Sequence, residues 1–254
     1  MILKELYTMG LFGYFCNGGE FDTAVFFLLC AASLVLCICV GYFLGSINTS
    51  IIISKLFYGE DVRNYGSGNA GATNVLRTYG KKSALFTTLG DVLKTVIAVV
   101  AGCFIGFPVV CISSNGVIMQ FGGYVAALFA VIGHTFPIYY RFKGGKGVLC
   151  AATAVLVLSP MLFVFLMLIF AFLVIGTKYV SLGSVVAVMA YPILLDRMYG
   201  HSLCTLITLL IAALVVYNHR SNLKRVLNRT ENKISIGKKD KEKSEKVESS
   251  SDGE

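Results

Sequence analysis

Residue types that bind phosphate gather at a few places in this chain. The densest is Arg63-Asn64-Tyr65-Gly66-Ser67-Gly68-Asn69-Ala70-Gly71-Ala72-Thr73-Asn74-Val75-Leu76-Arg77, with three glycines, three asparagines and two arginines in 15 residues. Glycine lets a backbone approach a ligand closely and present successive N–H groups. An arginine fork matches a pair of phosphate oxygens. Thr73 and Asn74 are candidate caps of a following helix, whose N-terminus would favour an anion. Arg63, Ser67, Gly68, Asn69, Asn74 and Arg77 are the candidate site residues here. A second cluster, Arg141-Phe142-Lys143-Gly144-Gly145-Lys146-Gly147, precedes an apolar segment and is suited to cradle phosphate through Lys143, Gly144, Gly145, Lys146 and Gly147. It is not a Walker A loop: GxxxxGK[ST] fails because Gly147 follows Lys146, so no hydroxyl stands ready for Mg²⁺ and ATP hydrolysis is not expected. Asp91 and Lys94 form a third feature, three apart on one face of an apolar run, with His134 in another such run. Charges at membrane depth face a cavity or a partner; a structural intrahelical pair is the competing reading. Finally, His219-Arg220-Ser221-Asn222 closes the last apolar run, as an interfacial cap or as part of a site.

These groups must be positioned by elements built for lipid. Of the 254 residues, 56% are hydrophobic and 14% charged, against about 25% charged in an average globular chain. Thr23 to Ser54 is 32 residues without a charge, whereas Arg220 to Glu254 holds 17 of the 36. Such a pattern excludes a disordered chain, a disulfide scaffold and an ordinary cytosolic enzyme. It predicts an all-α, polytopic integral membrane protein. The eight cysteines lie in or near apolar runs, form no CxxC pair and read as small packing residues. No metal site or cofactor is expected. The net charge of +8 points to cytoplasmic loops and anionic lipid rather than to nucleic acid.

A helix needs about 20 apolar residues to cross a bilayer. Ala24–Leu44 qualifies and extends at most to Ile53; preceded by Glu20 and Asp22, it is not a signal peptide. Ser83–Phe107 and Val117–Tyr140 follow. Val148–Ile175 carries Ser159-Pro160 near its middle, where proline breaks a helix. Ser181–Leu195 and Leu203–Tyr217 are shorter. Lys55–Lys82, Arg141–Lys146, Lys178 and the region from Arg220 together hold 19 of the 22 Lys and Arg. Placing all four on the cytoplasmic face requires an even number of crossings between them. Splitting Val148–Ile175 at Pro160 achieves this, with about seven transmembrane segments, some short or broken, the N-terminus outside and the C-terminus inside. Five full spans with re-entrant pieces is the other arrangement. The domain plan is then an N-terminal extracytoplasmic segment, 1–23, a membrane domain, 24–236, and a tail, 237–254, too polar to fold.

Five pieces of the chain, taken in order, resemble one family: GSINTSIIISKLFYGEDVRNYGSGNAGATNVLRTYG, LGDVLK, GHTFPIYYRFKGGKGV, YVSLGS and NHRSNLKRVLNRTENKI. They are similar to the bacterial acyl-phosphate:glycerol-3-phosphate acyltransferases, the PlsY family, from Gly45 to Ile234. The resemblance implies a multi-pass enzyme of the bacterial cell membrane with its active-site loops and C-terminus cytoplasmic. It implies transfer of a fatty acyl group from acyl phosphate to the 1-hydroxyl of glycerol 3-phosphate, giving lysophosphatidic acid and inorganic phosphate in the first step of phospholipid synthesis, with functional coupling to the enzyme that makes acyl phosphate. It assigns functional roles to Ser67, Arg77, His219 and Asn222, phosphate binding to Gly144, Gly145, Lys146 and Gly147, a phosphate contact to Ser181 or Ser184, and a structural role to Glu231. Asn48, Ala70 and Thr95 depart from the family's pattern without removing a group of obvious chemistry.

The residues agree with that chemistry independently. An acyl phosphate is already activated, so the enzyme needs mainly positioning and charge stabilisation. No GxSxG elbow is present. The HxxxxD pattern of other glycerolipid acyltransferases is absent too: Tyr139, Leu206 and Lys224 stand fifth after His134, His201 and His219. The general base stays open between His219 and a substrate phosphate oxygen. A transporter of an anion or sugar phosphate is the main alternative, although it would concentrate polar groups at midplane rather than in loops at one face.

Overall fold

The computed structural model describes residues 22–106 and 118–234, together with residues 11, 111–112 and 114. The extracytoplasmic segment expected over 1–23 and the tail expected over 237–254 lie almost wholly outside these residues. The fold is all-α, as expected, apart from a two-residue antiparallel ribbon, Cys111–Ile112 with Ile118–Met119.

The first helix, α1 (Thr23–Gly45), is apolar on all sides, as a helix facing lipid can be. It does not run on to Ile53. Asn48 breaks the line by accepting a hydrogen bond from the Ile51 N–H at 3.3 Å, which starts α2 (Thr49–Tyr58) afresh. Then come α3 (Ala72–Tyr79) and α4 (Lys81–Ile105). The span expected to reach Tyr140 does so, but as α5 (Phe121–Thr135) followed by a 3-10 turn at Ile138–Tyr140, because Pro137 cannot continue the helix. The break at Ser159-Pro160 is real. It separates α6 (Val148–Leu158) from α7 (Pro160–Thr177), with the proline at the first helical position, where its missing N–H costs nothing. Helices α8 (Val180–Tyr199), α9 (Leu203–Asn218) and α10 (Arg220–Leu227) are the last among the described residues, α9 and α10 meeting at a 57° bend.

Among the described residues, five stretches are long and apolar enough to cross a membrane: Thr23–Tyr58 (which joins α1 and α2), α4, Phe121–Tyr140 (which joins α5 to the turn after it), α7 and α8. The bent α9–α10 pair counts as a sixth, and α6, with 11 residues, is shorter. At 1.5 Å per residue α6 is only about 16 Å long. Among the described residues there are thus five or six candidate spans and one shorter apolar helix, where about seven segments, or five full spans with re-entrant pieces, are expected.

Helix α5 is the hub. Small residues let α1 lie directly against it: a Cβ on Gly41 would overlap the Ala126 carbonyl oxygen, and one on Gly45 the Ala130 carbonyl oxygen. Between apolar helices in lipid, such close approach supplies the packing that a hydrophobic drive cannot. Cys37 and Cys150 are buried in this core, in keeping with a packing role. Large side chains outside it, such as Phe27, Phe104, Phe172 and Ile175, are exposed, as lipid-facing residues are.

The four basic segments meet at one end of the bundle. Arg63 donates to the Tyr140 and Lys143 carbonyls, Lys146 to Asn222, and the Ile234 N–H to the Lys178 carbonyl. At the other end Ser114 and His201 exchange hydrogen bonds of 2.9 Å.

Glycine packing makes a testable contrast. Gly45→Val should lower the melting temperature of the detergent-solubilised protein markedly, since overpacking costs about 1–3 kcal/mol or more. Gly176→Ala, with no atom within 4 Å of the new Cβ, should leave it unchanged in a thermal-shift assay.

Candidate active site

The 59–77 loop is built around one amide. Asn74 is buried, and its side chain does not cap a helix; α3 starts at Ala72 with Gly71 in the cap position. Instead its Oδ1 accepts from the Ser67 N–H at 2.9 Å, while its Nδ2 donates to the Val62 and Tyr65 carbonyls, each at 3.0 Å. Gly66, with φ of 59°, lets the chain fold over that amide, and a Cβ there would overlap Asn74 Oδ1. Asn74 therefore shapes the loop, and Ser67 is held in place by it.

Arg63 also has a structural role. Its guanidinium donates to both oxygens of Asp61, at 2.9 and 2.7 Å, and to the carbonyls of Tyr140 and Lys143. The hydrogen bond from Arg63 outweighs burial and holds the Asp61 carboxyl below the usual carboxylate range. With four of its five N–H donors occupied, and outside the cavity lining, Arg63 clamps the first loop to the glycine loop. The Gly144 and Gly145 amides are committed as well, to the Thr135 and His134 carbonyls at 3.0 Å each. The expected cradle of successive loop amides is thus reduced to its far end, Lys146, Gly147 and the start of α6.

Beyond these supports lies a cavity of about 690 Å³. Ser67, Asn69, Asn74 and Arg77 line it from the first loop, Lys146 and Gly147 from the second. Ser181 and Ser184 reach it from α8, and His219 and Asn222 from the α9–α10 junction. Of the expected site residues, Arg63, Gly68, Lys143, Gly144 and Gly145 stay outside the lining. Arg225, Asn232, Asp91 and His134 belong to it in addition. Arg225 lies within the same basic segment as His219 and Asn222, but nothing in its spacing distinguishes it from its neighbours Lys224 and Arg229. Past the polar end the lining becomes apolar: Ala151 and Val155 of α6, Phe163, Leu166, Met167 and Phe170 of α7, and Val188 of α8.

A chain of hydrogen bonds fixes the polar end. Lys146 Nζ donates to Asn222 Oδ1 at 2.5 Å, and Asn222 Nδ2 donates to Glu231 Oε1 at 2.6 Å. The same carboxylate accepts from Ser181 Oγ at 2.9 Å and from Arg225 Nε at 2.7 Å. Burial pushes the Lys146 ammonium down from its ordinary value, with the Arg225 and Arg77 charges adding to the effect and Glu231 opposing it. Burial works to raise the Glu231 carboxyl, but the hydrogen bonds from Asn222, Arg225 and Ser181 prevail and hold it low. His219 is buried, and its Nδ1 lies 2.8 Å from the Val215 carbonyl. A carbonyl only accepts, so Nδ1 carries the proton and Nε2 the lone pair of the neutral ring. Among the described residues no group of three His, Cys, Asp or Glu could hold a metal ion.

Cationic and hydrogen-bonding groups that converge on a cavity with an apolar arm make an enzyme-like arrangement rather than a pore. The family model for glycerol-3-phosphate acyltransferase matches residues 35–229, and the chain belongs to that family. It is 43% identical over 202 residues to the glycerol-3-phosphate acyltransferase of Clostridioides difficile (strain 630), covering 80% of this chain and 96% of that one. It is 38% identical over 202 residues to that of Bacillus cytotoxicus, with the same coverage. The crystal structure of PlsY (YgiH), an integral membrane glycerol 3-phosphate acyltransferase, in its glycerol 3-phosphate form matches with a TM-score of 0.69 at 33% identity, over 80% of this chain and 96% of that one. Its lysophosphatidic acid form matches with a TM-score of 0.67 at 31% identity. Membership in this family favours the acyltransferase over the transporter.

The Glu231 carboxylate gives a pH prediction. Because its folded-state pKa lies below the ordinary 4.5, its stabilisation is full above that value and lost as pH falls through the folded pKa. Thermal stability should therefore drop on acidification below about pH 4.5, and Glu231→Gln should flatten that part of a melting-temperature profile while lowering stability at pH 7.

Proposed function

We propose that the protein transfers a fatty acyl group from acyl phosphate to the 1-hydroxyl of glycerol 3-phosphate, giving lysophosphatidic acid and inorganic phosphate. The observation that carries this reading is the continuity of the cavity: cationic and hydrogen-bonding groups at one end, an apolar arm at the other. A phosphorylated head and an acyl chain need those two environments side by side.

In this reading Lys146, the first amides of α6 and Arg77 face phosphate oxygens. The first amides of a helix have no partner within it, and the helix dipole favours an anion there. Ser67 donates its hydroxyl, and Ser181 or Ser184 adds a contact from the opposite wall. The glycerol hydroxyl oxygen attacks the acyl carbonyl carbon. The bond from that carbon to the phosphate oxygen breaks, and inorganic phosphate leaves with the bonding electrons. Asn222, its orientation fixed by Lys146 and Glu231, aligns the hydroxyl. His219 Nε2, with its lone pair, takes the hydroxyl proton. Catalysis then rests on positioning and charge rather than on a covalent intermediate.

The loops that form the polar end carry most of the basic residues, so by the positive-inside rule this face is cytoplasmic, where the soluble acceptor would arrive. The bacterial cell membrane is the proposed location. Acyl phosphate hydrolyses readily, which makes functional coupling to the enzyme that produces it advantageous.

Purified protein incubated with palmitoyl phosphate and radiolabelled glycerol 3-phosphate should form lysophosphatidic acid without coenzyme A. Formation only from palmitoyl-CoA would overturn the proposed donor. Ser67→Ala and Arg77→Ala should each lower kcat/KM by more than about tenfold, equivalent to about 1.4 kcal/mol. His219→Gln should lose the acid limb of the pH–rate profile together with most of the turnover; an unchanged profile would transfer the base role to the substrate phosphate.

A further inference from the structure

The Asp91, Lys94 and His134 cluster is the part of the molecule that the proposed chemistry leaves unused. All three residues are nearly inaccessible, at 1%, 5% and 4% exposure, in helices that cross the membrane. Lys94 Nζ lies 2.7 Å from Asp91 Oδ1, 2.6 Å from the Ile47 carbonyl and 3.0 Å from His134 Nδ1. An ammonium has three donors and no lone pair; two of them go to the Ile47 carbonyl and His134 Nδ1, while its charge faces the Asp91 carboxylate. His134 Nδ1 must be the acceptor, and the ring proton of neutral His134 sits on Nε2.

That proton lies on the side of the glycine loop. A Cβ on Gly145 would overlap His134 Nε2. Cys150, buried in the first turn of α6, lies near enough to this group to feel the charges of His134, Lys94 and Asp91. The His134 carbonyl accepts the Gly145 N–H, and the Thr135 carbonyl the Gly144 N–H, each at 3.0 Å. The cluster therefore ties together four elements: the α1–α2 break through Ile47, α4 through Asp91 and Lys94, α5 through His134, and the start of α6 through Cys150. Burying an ion pair costs about as much as the pair returns, and apolar residues of similar size often replace one without loss of stability. Tight packing alone would not need these charges.

We propose that Asp91, Lys94 and His134 are positioning residues for the acyl-transfer site: they fix one tautomer of His134, and through Gly145 and Cys150 set the place of Lys146 and of the first amides of α6. The inference rests on the reading of Lys146 and α6 as phosphate-binding, and acts through them without contact with the reacting atoms.

The test uses the full chain in lipid nanodiscs. Asp91→Leu with Lys94→Met removes both charges at similar volume, and Cys150→Ala removes only the link from the ring to α6. Amide exchange of residues 144–150, melting temperature and kcat/KM for glycerol 3-phosphate are measured with the acyl donor that supports turnover of the unmodified protein. The double variant should melt within about 5 °C of the unmodified protein, exchange faster over 144–150 and lose at least tenfold in kcat/KM. Cys150→Ala should shift exchange the same way and lose at least threefold. A folded variant of either kind with unchanged exchange and turnover overturns the inference. Faster exchange with unchanged turnover shows instead that the loop is held but not used, which overturns the phosphate-binding reading on which it rests.

Discussion

A carboxylate at the edge of an apolar protein has to find donors, and the donors that Glu231 finds organise the polar end of this molecule. It takes hydrogen bonds from Ser181 on α8, and from Asn222 and Arg225 on α10. Asn222, once its amide nitrogen is committed to Glu231, can offer only its oxygen to Lys146. The orientation of one side-chain amide thus passes from the C-terminal segment to the glycine loop. Without that carboxylate, three side chains on two helices would lose their common partner, and a half-buried lysine would face an undirected amide. Glu231, for which the family resemblance implies a structural role, also lines the cavity.

The same economy holds in the 59–77 loop. The two polar atoms of the Asn74 side chain satisfy three backbone groups, and a loop rich in glycine is thereby held in one shape. Arg63 joins that loop to the next one. Both residues have the chemistry of phosphate ligands, and both spend it on the protein itself. A ligand-binding loop that must keep a fixed form beside lipid needs such internal partners, because buried backbone groups without them cost about 1–3 kcal/mol each.

Much of this was legible in the amino-acid sequence. Hydrophobic runs and the placement of lysine and arginine locate the helices and group the four polar segments, because lipid enforces both patterns. The limits of α6 can be read to the residue, since Gly147 and Pro160 bound it. What could not be read was which polar residues face the cavity. Arg63 and Arg77 are equivalent by type, and the partners that Arg63 finds in Asp61 and two carbonyls separate the clamp from the residue that lines the cavity. Gly144 and Gly145 look like a phosphate cradle in sequence, but their amides meet the carbonyls left open at the end of α5. Asp91 and Lys94 are conspicuous in sequence, whereas the third contact of the ammonium, a carbonyl at Ile47, depends on where α1 breaks. Such pairings are long-range, and periodicity carries no information about them.

The apolar arm has a consequence for selectivity. A hydrocarbon tail that enters it comes from a bilayer as apolar as the arm itself, so the transfer gains almost nothing from leaving water. Affinity must then reside in the head group. The walls supplied by Phe163, Met167 and Phe170 can distinguish one tail from another only by shape, through the fit of each methylene against them. Chain preference in this protein is in that sense a matter of geometry, and should vary with the thickness and order of the surrounding lipid, which set the free energy from which every tail departs.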